Sequence, residues 1–158
     1  MATTMSTPPS PLIMLGGNVV GAGLVGLVLN ALVGRGRTLT FFATAFATTF
    51  IGFGINAMAR PENALSWFEW DYPAAADVAA RQLVDRIMFI YGARDIFMGV
   101  ALYAAAFFGS RRALGAILVA CSAIAGVDGV ACRMAGQGEW GHWGYAPVLT
   151  VVGALLMR

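Results

Sequence analysis

Tyr91-Gly92-Ala93-Arg94-Asp95-Ile96-Phe97-Met98-Gly99 sets an arginine beside an aspartate inside a run that is otherwise apolar. Ile87 to Ile90 precede it and Val100 to Phe108 follow. As a helix the whole run is ~33 Å long, enough to cross a hydrocarbon core. A charged side chain at that depth costs ~2.5–3.5 kcal/mol on insertion scales. Such groups persist where they face a bundle interior and find partners there, so this stretch predicts both a membrane helix and a polar site within a bundle.

The rest of the composition agrees. Hydrophobic residues make up 59% of the 158-residue chain and charged residues 11%, against about 25% charged in soluble domains. Mean hydropathy is +0.74. There is too little polar surface to coat a soluble globule, so the fold class expected is all-α, a polytopic transmembrane helical bundle. A net charge of +2, carried by scattered arginines, argues against nucleic acid as a partner. Cys121 and Cys132 fall in one helical run, ~16 Å apart, too far to bridge each other. No Cys-x-x-Cys or His-rich motif points to a metal, and no nucleotide loop or haem ligand pair is visible; no cofactor is expected.

Residues 1–10, rich in Pro, Ser and Thr, read as a flexible tail and 11–158 as one membrane domain. Spans are expected at about 11–33, 39–59, 87–108, 113–134 and 143–157, with the last the shortest at ~22 Å. That is a four-helix core plus one extra N-terminal helix. Gly17 and Gly21 in the first span have the spacing of a close helix contact. Arg81 and Asp85, four apart in the 60–86 loop, are placed to pair on a helix surface. Five spans put Arg35, Arg37, Arg111, Arg112 and Arg158 on one face and nearly all the carboxylates on the other. The positive-inside rule then sets the C-terminus in the cytosol and the N-terminus in the lumen of an internal membrane.

Depth locates the site. Arg94 and Asp95 lie ~10–12 Å below the acidic face on the third span. Asp128, on the antiparallel fourth span, lies ~9 Å below the same face. Asn56 is near that end of the second span, and Tyr91 shares the Arg94 side of its helix. His142, the only histidine, and Glu139 sit in the glycine- and tryptophan-rich loop above, with Trp143 opening the last apolar run. The expected catalytic set is Arg94, Asp95, Asp128 and His142, with Asn56, Tyr91 and Trp143 contacting substrate. Two carboxylates near a guanidinium in low dielectric can divide into an acid and a base. The same three groups can equally be a brace that locks helices together.

The 91–99 run, Val127-Asp128-Gly129 after the Arg111-Arg112 turn, and the histidine after a glycine-rich loop resemble a family of small fungal membrane proteins of unassigned function, similar to the DoxX-like group of four-helix membrane proteins. The resemblance covers roughly residues 39 to 157 and implies a shared site at Arg94, Asp95, Asp128 and His142. It also implies an association with secondary-metabolite biosynthesis. Two functions are expected from these readings. One is a cofactor-independent acid/base enzyme, an isomerase, cyclase or epoxide hydrolase, acting on a lipophilic intermediate. The other is a non-catalytic scaffold or accessory subunit whose partners are further copies of itself or biosynthetic enzymes.

Overall fold

The computed structural model describes residues 10–158, and the tail expected at 1–10 lies, apart from Ser10, outside them. Seven helices follow one another: α1 (Pro11–Val33), α2 (Arg35–Ala59), α3 (Pro61–Ser66), α4 (Val78–Phe108), α5 (Arg111–Ala135), α6 (Glu139–Trp143) and α7 (Ala146–Met157). The protein is an all-α membrane bundle. Among the described residues, α1, α2, α4 and α5 are long and apolar enough to cross a membrane.

The helix ends follow local chemistry. Asp77 caps α4, its carboxylate accepting the Ala80 N–H at 3.0 Å. The helix therefore begins at Val78, ahead of the apolar run that opens at Ile87, and continues unbroken into it. Ser110 caps α5 in the same way through the Ala113 N–H, at 3.1 Å. Residues 143–157 are not one helix. The chain breaks at Gly144 and Tyr145, leaving α7 ~18 Å long, with α6 completing the layer above it. Arg81 and Asp85 do not pair with each other, because Tyr72 comes between them. Arg81 lies over the Tyr72 ring at 5.0 Å and donates to the Pro73 carbonyl, while the Tyr72 hydroxyl donates to Asp85.

Two antiparallel pairs make the bundle. In the first, α2 and α4 cross where Gly54 faces Gly92 and where Ala47 faces Gly99. A Cβ on Gly92 would sit 2.5 Å from the Gly54 carbonyl oxygen and 2.6 Å from Met58 Cγ, so the two backbones touch with no side chain between. In the second, α5 and α7 meet at Gly115 and Gly153 on the same terms. Between the pairs runs a seam filled by Leu102, Leu114, Leu118 and Leu149, all fully buried. The glycine crossings are the small-residue contacts by which membrane helices approach closely. The glycines of α1 do not share in them. A Cβ at Gly17 or Gly21 would meet nothing within 4 Å, so their expected role in helix packing is not seen within this chain. Helix α1 lies on the outside of the bundle, touching α2 through Gly26 and Phe42.

Candidate functional site

The seam is crossed by charge at one level. Arg94, on α4, extends to Asp128 on α5. Its Nη1 and Nη2 donate to the two Asp128 carboxylate oxygens at 3.0 and 2.9 Å. Nε and Nη2 also donate to Asp95 Oδ1 at 3.2 and 3.1 Å. Adjacent helical residues diverge by ~100° around the axis. The long arginine arm overcomes this by bending back over its neighbour. Asp95 thus faces the core, 2% exposed, while Arg94 spans outward from it. One guanidinium holds carboxylates from two helices, and Asp128 is held as a fork. The Tyr91 ring lies under the guanidinium, 4.1 Å from its carbon to the ring centroid.

Beside this bridge is a cavity of about 160 Å³. Phe53, Trp67, Phe68, Tyr91, His142 and Tyr145 form its walls. His142 is buried, its ring 4.8 Å from Phe68 and 6.5 Å from Tyr145. Its Nδ1 is 3.7 Å from Cys132 Sγ. Burial holds the imidazole below the ordinary histidine pKa; Asp128 opposes the shift and Arg94 adds to it. The imidazole is therefore neutral at pH 7, with one ring nitrogen able to accept a proton.

Phe68 reaches the cavity because two loops clasp each other. The Gln137 side chain donates to the Glu69 carbonyl. Gly138, at φ +86, packs against the Phe68 carbonyl where a Cβ would collide with it. Phe68, Phe53 and Tyr145 were not among the residues expected from sequence. The only trace of Phe68 was its place in an aromatic run, Trp67-Phe68-Glu69-Trp70, which beside a span reads as a headgroup-level anchor.

Of the expected residues, Arg94, Asp95 and Asp128 are bonded together, and Tyr91 and His142 share the cavity wall. The other expected contacts lie elsewhere. The Asn56 amide donates to Asn63 at 3.0 Å, because Pro61 turns α3 back over the end of α2. Trp143 donates from Nε1 to the Gly126 carbonyl at 3.1 Å and lies flat on Gly129, on the α5 side of the cavity. Glu139 does not cap the site; it pairs with Arg133 at 3.1 Å. Cys121 and Cys132 are both free and buried. Among the described residues, no group of three histidine, cysteine, aspartate or glutamate side chains is gathered as a metal site.

No curated protein and no solved structure is significantly similar to this chain. Residues 47–156, which include the ion bridge and every wall of the cavity, match a family defined as a domain of unknown function, and on that match the chain belongs to the DUF4267 family.

Proposed function

We propose that the protein is a membrane-embedded acid/base catalyst acting on a lipophilic small molecule without a redox cofactor. The observation that carries this is the aromatic cavity with the buried His142 imidazole on its wall. At about 160 Å³ it matches the ~150 Å³ cavity known to accept benzene, so it takes a single ring or a chain end. His142 is the proton acceptor. Tyr91 is the hydroxyl donor to a developing oxyanion, its ring held against the Arg94 guanidinium. The reaction best suited to this pair moves a proton from one carbon of an unsaturated ketone to another through an enol, an isomerisation that consumes no water or cofactor.

Arg94, Asp95 and Asp128 act here as positioning residues. Four guanidinium N–H donations already engage Asp95 Oδ1 and both oxygens of Asp128, and none of the three side chains is a wall of the cavity. The likeness to fungal DoxX-like proteins favours a polyketide or terpenoid intermediate as substrate. On the positive-inside rule the cavity end of the bundle faces the lumen of an internal membrane.

The test uses the full chain in lipid nanodiscs with 3-cyclohexen-1-one, a ring that fits the cavity, followed by the absorbance of the conjugated product. Wild type accelerates conjugation over empty nanodiscs, and His142→Gln loses ~10²–10⁴-fold of it. Equal rates with and without protein, or a His142→Gln variant as fast as wild type, overturn the assignment. A scaffold role has one observation in its favour, the 44% exposure of Trp67 at the cavity end. On that reading Trp67→Ala releases a partner enzyme and His142→Gln changes nothing.

A further inference from the structure

A second concavity lies on the far side of the bundle, between α1, α2 and α7. It encloses about 600 Å³, in the range of small-molecule sites. Gly23, Gly26, Leu27, Leu39, Phe42 and Val151 are among its walls, and they are apolar throughout. It exists because α1 stands off from the bundle. The Cβ position of Gly23 is empty to 4 Å, and that of Gly26 is filled by the Phe42 ring at 3.5 Å. From Val19 to Asn30 the groove follows α1 for ~16 Å.

Its other end is cationic. Asn30, Arg35 and Thr38 close it, and Thr38 is already bonded to the Gly34 carbonyl. Arg35 is exposed, and among the described residues no carboxylate pairs with it. The Arg111 guanidinium, from the start of α5, comes within 3.5 Å of the Cβ position of Gly36, the residue after Arg35. Arg37 and Arg112 follow on the same turns. A long apolar slot along a helix long and apolar enough to cross a membrane, ending in a guanidinium with no counter-charge among the described residues, is complementary to one kind of molecule.

We propose that this groove holds one acyl chain of an anionic phospholipid, with its phosphate bound at Arg35 and Asn30. Guanidinium recognises phosphate oxygens as a fork, and basic clefts between membrane helices select anionic headgroups. A choline headgroup brings its own cation against Arg35, so a zwitterionic lipid is the weaker occupant.

The experiment is native mass spectrometry of the full chain from dodecyl maltoside micelles containing equal amounts of dioleoyl phosphatidylglycerol and dioleoyl phosphatidylcholine. One phosphatidylglycerol is retained in several-fold preference. Arg35→Gln loses the preference and Arg35→Lys keeps most of it, with far-UV helicity confirming that both are folded. Gly23→Phe, which fills the slot, lowers retention of both lipids; Leu27→Trp serves the same purpose if that variant does not accumulate. Equal retention of the two lipids by wild type, or an undiminished preference in Arg35→Gln, overturns the proposal. So does displacement by excess glycerol phosphate, which would show a headgroup site that needs no acyl chain. A dimer that retains no lipid and is lost in Gly23→Phe assigns the groove to a second copy, and overturns it too.

Discussion

Removing the cation from the Arg94 bridge should cost more than removing either anion. Arg94→Gln leaves Asp95, 2% exposed, and Asp128, 11% exposed, on facing helices with nothing positive between them. Stripping one partner from a buried ion pair costs ~3–5 kcal/mol, and the one-third exposure of Arg94 points to the lower end, about 3. Asp128→Asn differs in kind. It leaves a neutral Arg94–Asp95 pair, keeps one uncharged acceptor for the guanidinium and loses the other hydrogen bond, since an amide N–H cannot accept, at a cost of ~1.5–2 kcal/mol. The gap of ~1–1.5 kcal/mol is close to a tenfold difference in the folding constant. The double variant Arg94→Gln/Asp128→Asn should recover part of the loss, because it removes one of the two unpaired anions; a coupling of ~1 kcal/mol or more is expected. The assay is reversible unfolding in mixed micelles of dodecyl maltoside and dodecyl sulfate, followed by tryptophan fluorescence. If Arg94→Gln is no less stable than Asp128→Asn, or the two changes simply add, the bridge does not hold the seam.

Three further outcomes follow from the same geometry. Gly92→Ala drives a methyl group into the Gly54 carbonyl and Met58, so the same unfolding assay should show a loss of ~1–3 kcal/mol, whereas Gly17→Ala on α1 should change little. His142 is held below its ordinary pKa by burial, so the unfolded chain binds its proton more readily. Stability is then constant above about pH 6.5 and falls as the pH drops below it. His142→Phe should flatten that slope when midpoints are compared between about pH 5 and about pH 8. Ser110→Ala removes the cap that accepts the Ala113 N–H and should cost ~1 kcal/mol by the same titration.

Much of the fold and part of the site could be read from the sequence, and the division has a physical cause. Depth along a helix depends only on counting at a fixed rise, so Arg94 and Asp128 could be set at one level on antiparallel spans before their contact was seen. Direction around the axis depends on packing, and there counting fails. Asn56 was placed at the right depth, yet its amide turns to Asn63 because Pro61 folds α3 over it. Trp143 was close in sequence to His142, but Gly129 opened a flat surface for its ring on α5. The glycines misled in both directions. Gly17 and Gly21 carry the familiar four-residue spacing and touch nothing, while Gly54, Gly92, Gly99, Gly115 and Gly153 lack it, Gly92 and Gly99 being two turns apart, and form the closest crossings. Spacing registers which residues share a face; it does not say whether a partner faces them. The cavity was the least visible feature. Phe53, Phe68, Tyr91, His142 and Tyr145 come from four separate segments, and only the clasp of the 67–70 loop on the 136–138 loop brings them together.

The glycine crossings have one more consequence. With backbone against backbone, α2 with α4 and α5 with α7 are two stiff slabs that cannot deform without breaking van der Waals contact. Whatever give the bundle has is a parting of the slabs, and the cavity lies at that parting, with Phe53 and Tyr91 on one slab and His142 and Tyr145 joined to the other. A guest larger than the resting cavity has to wedge them open against the Arg94–Asp128 fork. Guest size and bundle stability are therefore traded against each other by thermodynamic linkage. A chain with a loosened fork should admit bulkier molecules, and a bulky guest should stabilise wild type against unfolding less than a ring-sized one does.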